Sequence, residues 1–404
     1  MRSDDGLNLD WLVSVDDHLY EPPNLWQDRL PARYRDVGPR VVNSGEGEFW
    51  LYEDTRVPTG VGMGARAGKP VDQFDPDPIP YGDMRPGCYD AAARIEDMDT
   101  AGIISSVCFP SYPRFCGQLF LEAKDKELAL LCLKAYNDWV IDEWCAFAPG
   151  RLIPLTLIPL WDPKLAVAEL ERCAAMGSHS FCFSENPEPL GLPTINDPGR
   201  YWEPVMAAAD DTGMVVSMHT GSSSTMPKIN KDAGFMATLA WGANRTSGCM
   251  LAWLFSGYFQ AYPNLKIALS EGEVGWIPYF LERAQYVYDT DHHWIDRGYT
   301  QGGMGKAGGI PYEGDLDIHA LYLDHVHGCL IDDRVGLRNL DVIGEGNVMY
   351  ETDYPHSDST WPHCIKLARE RLDAAGLSAD VQLKILRTNA ERLYQFMAPV
   401  PATI

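Results

Sequence analysis

Eight short apolar runs recur along the chain with helical patterns between them, and this rhythm constrains the fold more than any other feature. The runs are WLVSVDDH (11–18), IISSVCFP (103–110), LIPLTLIPL (152–160), HSFCFS (179–184), MVVSMHT (214–220), LKIALSE (265–271), HVHGCLI (325–331) and NVMYETD (347–353). Helical periodicity falls at 89–101, 119–147, 162–176, 200–212, 274–289 and 361–374. Continuous apolar strands that alternate with helices predict a parallel sheet buried on both faces. Eight of them predict an α/β fold of the (β/α)8 type, a TIM barrel, as one domain over residues 1–404. Two stretches break the rhythm. Residues 43–89 are rich in Gly, Pro and Asp, and residues 291–324 have little periodicity. They predict long insertions after the first and the sixth strand, of the kind that serve as lids or subunit contacts.

Composition narrows the partners. A formal charge of −24 repels phosphate, so neither nucleic acid nor an anionic membrane is an expected partner. An acidic small molecule would need local cations. The ten cysteines stand singly from Cys88 to Cys364 with no C-x-x-C pair, which speaks against a zinc ribbon or a thioredoxin-type motif. No N-terminal run resembles a secretory leader, and no apolar stretch reaches about 18 residues. With so many unpaired thiols, the expected location is a reducing cytoplasm.

Several runs end in side chains that bind metals or move protons. The first ends in Asp16 and His18, the fifth in His219, the sixth in Glu271, and the eighth in Asp353 with His356 three residues on. In a parallel barrel all C-terminal strand ends share one rim, where active sites of this fold lie. Residues remote in sequence would therefore converge. Asp16 and His18 are two apart on a strand and share a face, so one strand can offer two ligands to one ion. Each residue alone has an ordinary reading as a cap or hydrogen-bonding group. Their conjunction on the first, fifth, sixth and eighth strands is far more specific.

The stretches SVDDHLYEP (14–22), FSENP (183–187), MHTGSSS (218–224), LSEGEVGWIPYFLER (269–283) and YETDYPHSDSTWP (350–362) resemble the amidohydrolase superfamily. The resemblance is to the branch, often called amidohydrolase 2, that includes aminocarboxymuconate-semialdehyde decarboxylase and the resorcylate decarboxylases. It covers nearly the whole chain, and the last stretch is the most distinctive. It implies one divalent metal ion bound by Asp16, His18, His219 and Asp353, a catalytic part for Asp353, a small-molecule substrate and a homodimer. Two departures matter. Many amidohydrolases begin with H-x-H and this chain has D-x-H; some decarboxylases of the branch have E-x-H, and a harder oxygen ligand suits Zn²⁺ or Mn²⁺. The branch's decarboxylases carry an acid/base His on the sixth strand, where this chain has Glu271. Binuclear members bridge their metals with a carboxylated Lys on the fourth strand. HSFCFSEN has no Lys, so a single ion is expected.

The expected reaction is non-oxidative decarboxylation of an aromatic or unsaturated acid. Metal-dependent hydrolysis of a C–N, C–O or C–C bond is the runner-up, and a non-catalytic, metal-stabilised binding protein a third reading. Glu271 is the candidate acid/base, with a place on the metal or behind a His ligand as alternatives. Arg114, in SYPRF, is a candidate clamp for a substrate carboxylate or else a surface Arg. Glu185 closes the fourth strand and is a candidate pocket residue. His356 is a candidate substrate contact or a brace for the Asp353 loop. HVH (325–327) has the same i, i+2 geometry as D-x-H, but it starts its strand and is expected at the opposite rim. His292 and His293 follow the sixth strand's helix and read as interface or helix-end residues unless a loop folds them over the pocket. His179 reads as structural.

Overall fold

The computed structural model describes residues 7–45, 47–60, 62–226, 229–295 and 315–401. Its strands are β1 (Leu12–Leu19), β2 (Arg40–Ser44), β3 (Gly47–Tyr52), β4 (Thr55–Pro58), β5 (Ile103–Pro110), β6 (Leu152–Ile153), β7 (Ser180–Phe183), β8 (Val215–His219), β9 (Ile267–Ser270), β10 (Val326–Leu330) and β11 (Val348–Tyr350). The parallel strands form two arcs, β1-β5-β6 and β7-β8-β9-β10-β11, in chain order. Every residue of β1, β5, β7, β8, β9, β10 and β11 is buried, as continuous apolar runs require.

The arcs are hydrogen-bonded to each other at both edges. On one side Thr156 N donates to Ser180 O at 3.2 Å and Cys182 N to Thr156 O at 2.8 Å. On the other, Asp353 N donates to Asp16 O at 2.9 Å and His18 N to Tyr354 O at 2.6 Å. The third apolar run is shorter as a strand than its composition predicts. Pro154 and Pro159 have no N–H to give a ladder, so β6 stops at Ile153 and only Thr156 bridges onward.

Local chemistry sets the helix ends. The Asp90 carboxylate accepts from Ala93 N and starts the helix Ala91–Ala101. Gly102 ends it at φ +72°, and a Cβ there would lie 2.3 Å from Ile365, so the turn into β5 needs a glycine. Asp162 followed by Pro163 starts the helix Pro163–Ala175 in the same way.

The stretch expected as a first insertion is more ordered than its weak periodicity suggested. Residues Arg40–Pro58 form an antiparallel sheet, β2-β3-β4. Of the stretch expected as a second insertion, residues 291–295 continue the helix Ile277–Ile295 and Ile318–His325 form another; residues 296–314 lie outside the described residues. All ten cysteines are buried and unpaired. No helix among the described residues is long and apolar enough to cross a membrane.

Candidate metal centre

β1 supplies both the cluster and its anchor. Asp16 and His18 point one way and Asp17 the other, as strand alternation dictates. Asp17 is the tether. It accepts from Ser14 Oγ at 2.9 Å, Thr352 Oγ1 at 2.6 Å, Tyr354 N at 3.0 Å and Ser106 Oγ at 2.5 Å, so it joins β1 to both neighbouring strands. The Arg94 guanidinium lies behind it, buried, donating to His18 O and Gly87 O and stacked on the Tyr354 ring. This explains three polar residues in a row at the end of a buried strand.

His219 ends β8. Its Nδ1–H donates to Thr220 O at 2.5 Å, which leaves Nε2 free to face the cluster. That Nε2 lies 3.2 Å from His18 Nε2 and 3.6 Å from Asp16 Oδ2. His18 Nε2 lies 3.1 Å from Asp353 Oδ1 and 3.6 Å from Asp16 Oδ1. The four side chains are buried, and their donor atoms all lie within 4.8 Å of one another.

A cation fits this set. Both oxygens of Asp16 and both of Asp353 are buried with no hydrogen-bond donor, a costly arrangement for a protein to leave uncompensated. Two carboxylates and two imidazoles are a donor set that Zn²⁺ or Mn²⁺ would accept. Without a cation, burial and mutual repulsion push the Asp16 carboxyl well up, burial pushes Asp353 up, and burial pushes the His219 imidazole down to about 3. A bound divalent charge reverses that logic for the acids.

Glu271 follows β9 in a left-handed conformation, φ +55°, and Asp353 is left-handed at φ +49°. Such backbone is uncommon for these residues and concentrates at functional sites. Glu271 N donates to the buried Glu351 carboxylate at 3.1 Å, and Glu271 Oε2 lies 3.6 Å from His219 Nε2. Its side chain is 31% exposed, so it sits between the cluster and the adjoining cavity. His356 stacks on His18 with ring centroids 3.8 Å apart and places Nδ1 3.0 Å from Asp353 Oδ1.

The cavity above the cluster measures about 790 Å³. Tyr20, Trp50, Tyr112 and Phe115 form an aromatic wall, with Trp50 and Tyr112 stacked at 4.5 Å. Phe115 stacks on His219 at 4.0 Å. Trp50 and Val57 come from the antiparallel sheet, which therefore covers the site.

Two expected pocket residues lie elsewhere. Arg114 is outside the cavity wall, because its guanidinium is paired bidentately with Glu122 at 2.7 and 2.6 Å on the surface. Glu185 is buried behind the wall, where it accepts from Gly221 N and Ser223 Oγ, both at 2.9 Å, and so holds the loop after His219. His327 lies near the start of β10, at the other end of the strands, and His325 is the last residue of the helix before it. His325 Nδ1 bonds Leu265 O, and its ring stacks on Phe259 at 4.4 Å. His292 stacks on Tyr288 within its helix, away from the cavity; the His293 side chain lies outside the described residues. His179 is half-buried at the start of β7.

Sequence reading missed Arg245 and Glu351, both on the cavity wall. The one available signal for Arg245 is that it is the sole charged residue of the helix Ala243–Leu254.

The sequence profile of the amidohydrolase family matches residues 18–396. The chain belongs to the amidohydrolase family. This amidohydrolase is 28% identical to a gamma-resorcylate decarboxylase of Rhodococcus jostii over 284 residues, 67% of this chain and 78% of that protein. Its fold is shared with an amidohydrolase of Mycobacterium avium subsp. paratuberculosis at TM-score 0.69 and 20% identity, covering 95% of this chain and 99% of the other. It is shared too with a 5-carboxyvanillate decarboxylase of Novosphingobium aromaticivorans, complexed with manganese and 4-hydroxy-3-methoxy-5-nitrobenzoic acid. There the TM-score is 0.62 at 17% identity, covering 96% of this chain and 97% of the other.

Proposed function

We propose that this amidohydrolase is a metal-dependent decarboxylase of aromatic acids, with one divalent ion, Mn²⁺ or Zn²⁺, held by Asp16, His18, His219 and Asp353. The observation that carries the reading is the buried pair of carboxylates and pair of imidazoles, its carboxylate oxygens without donors, beneath an aromatic-walled cavity. The named activity of its relatives supports the reaction, and the manganese of one structural neighbour supports the ion. Two parallel arcs hydrogen-bonded at both edges support a closed (β/α)8 barrel with the cluster at its C-terminal rim.

Held by Asp16, His18, His219 and Asp353, a divalent ion would supply a Lewis acid for the substrate's oxygens. The chain's own residues do the rest. Asp17 and Arg94 lock β1 so that Asp16 and His18 face inward. The Phe115 and His356 rings flank His219 and His18 and keep bulk water from the reacting carbon. The bond from ring carbon to carboxyl carbon breaks, its electron pair stays on the ring carbon, and carbon dioxide leaves. Glu271 delivers the proton that this carbon takes and regains one from solvent through its exposed edge.

Hydrolysis is the second reading, favoured by the same Glu271: a carboxylate 3.6 Å from His219 Nε2 and open to the cavity is placed to take a proton from water. Incubating the Mn²⁺-loaded protein with hydroxybenzoates and with esters, amides and lactones separates the two. Carbon dioxide from an acid is the expected result. Solvent ¹⁸O entering a product carboxylate, with no carbon dioxide released, establishes hydrolysis instead. The exposed Tyr279 and Tyr286 on the helix Ile277–Ile295 support a homodimer, which sedimentation tests; the unpaired thiols support a reducing cytoplasm, and the charge of −24 is unsuited to nucleic acid.

A further inference from the structure

The cavity's charge balance is at odds with an acidic substrate unless one more residue takes part. Glu271, Glu273, Glu351 and Asp358 line the wall, and Arg245 is the sole Lys or Arg among the described lining residues. Apart from a bound metal, Arg245 is therefore the one fixed positive charge that the described residues offer an anion there.

Its surroundings keep it available. The Arg245 side chain is 9% exposed, and its Nε is buried with no partner. The nearest acid, Glu185 Oε1, is 4.0 Å from Nη1, beyond hydrogen-bonding distance, and that oxygen already accepts from Gly221 N and Ser223 Oγ. The backbone makes room for the guanidinium. Gly221 has φ +95°, and a Cβ there would lie 3.2 Å from Phe115 Cε2 and 3.5 Å from Arg245 Nη1. The guanidinium and the ring that stacks on His219 thus both lie close to Gly221. A buried guanidinium without a hydrogen-bonded acid is held ready for an external carboxylate, which it can grip through two parallel N–H donors.

We infer that Arg245 is the specificity-determining residue of this cavity and that it takes a second anionic group of the substrate, apart from the carboxylate at the metal. The inference rests on the reading of the cavity as a site for an aromatic acid, and it names the class: aromatic acids with a second carboxylate. A cavity of about 790 Å³ has space for a body larger than one ring. Arg245 thereby fills the part that Arg114 leaves open.

The test is isothermal titration of the Mn²⁺-loaded protein with three probes: 2-hydroxybenzoate, 4-hydroxyisophthalate and 1-hydroxynaphthalene-2,6-dicarboxylate. At least one dicarboxylate should bind about tenfold or more tighter than the monocarboxylate, the worth of one good charge-assisted pair. Arg245→Gln should cut that ratio by about tenfold, and Arg245→Lys, which keeps the charge but not the fork, should fall between. Thermal melts check that each variant folds; if the Gln variant does not, the wild-type ratio and the Lys variant carry the test. A wild type that binds neither dicarboxylate more tightly, or a variant that lowers all three affinities equally, overturns the inference. Carbon dioxide release is read in parallel. Dicarboxylates that bind through Arg245 but release none count against decarboxylation and leave the inference standing.

Discussion

Both ends of the strand set carry a buried histidine in an i, i+2 pair, and they differ in what surrounds it. At the C-terminal end His18 meets His219, Asp16 and Asp353. At the N-terminal end His327 has an unpartnered Nδ1 too, but its charged neighbours are Lys266 and Arg392, which repel a cation. His325 beside it is already spent on Leu265 O and Phe259. Spacing within one strand therefore does not make a metal site. Convergence of acids from other strands does, and the topology brings them to one end.

The sharpest way to break the comparison is to remove a member of the acid-lined end. His219→Ala should lose the ion and cost about 10³-fold or more in rate, because nothing else supplies the Lewis acid. Elemental analysis of the folded variant checks it, and full metal content would end the assignment. Dialysis against a chelator should give the same loss, reversed by Mn²⁺. Glu271→Gln should keep the ion and cost about 10²-fold, the ordinary worth of a positioned acid or base. A loss under threefold with metal retained would reduce Glu271 to a structural part.

Glu21 sharpens the comparison from the same end. It is as buried as Asp16, but its carboxylate accepts from Ser111 N at 3.2 Å and Tyr112 N at 2.9 Å, so it holds the cavity wall and needs no ion. Burial raises its carboxyl to about 7, against an ordinary 4.5. The folded protein then binds more protons than the unfolded chain between those values, so this group's contribution is full below pH 4.5 and is lost as the pH rises through 7. The loss is at most about 3 kcal/mol. Urea melts across that window should show the slope, and Glu21→Gln should flatten it. An unchanged slope would mean that the hydrogen bonds offset the burial.

The parts of the fold legible in the sequence were those with a periodic cause. Apolar runs separated by helical patterns placed β1 and β5 to within a residue, and strand alternation alone put Asp16 and His18 on one face. The starting position of His327 on its strand placed it at the far end. What was not legible depends on tertiary neighbours. Arg114 has no local sign that Glu122, eight residues on, would claim it. Arg245 lines the cavity from a helix whose Thr246 hydroxyl bonds that of Thr220 at 3.0 Å, a contact no window of sequence contains. The antiparallel sheet Arg40–Pro58 was hidden by short strands at the edge of a Gly- and Pro-rich stretch. Glu351 precedes Asp353 by two residues, but its grip on Glu271 N spans two strand ends.

The smallest expected effect comes from the basic end. His327→Gln should leave metal content unchanged, since no acid or second free imidazole among the described residues joins His327 in a candidate metal group. It should shift stability by about 1–2 kcal/mol, the range for one polar change at a buried position. The sign follows from what burial does to the native side chain. His327 is driven down to about 3 from an ordinary 6.5, so the folded state binds fewer protons than the unfolded chain between those values. Its contribution is present above pH 6.5 and is lost as the pH falls toward 3. The Gln variant cannot titrate, so its disadvantage should be greatest near neutrality and shrink in acid. Urea melts at pH 7.5 and 5 measure this, with elemental analysis on the same samples. Metal lost from His327→Gln but kept in His219→Ala would exchange the roles of the two ends.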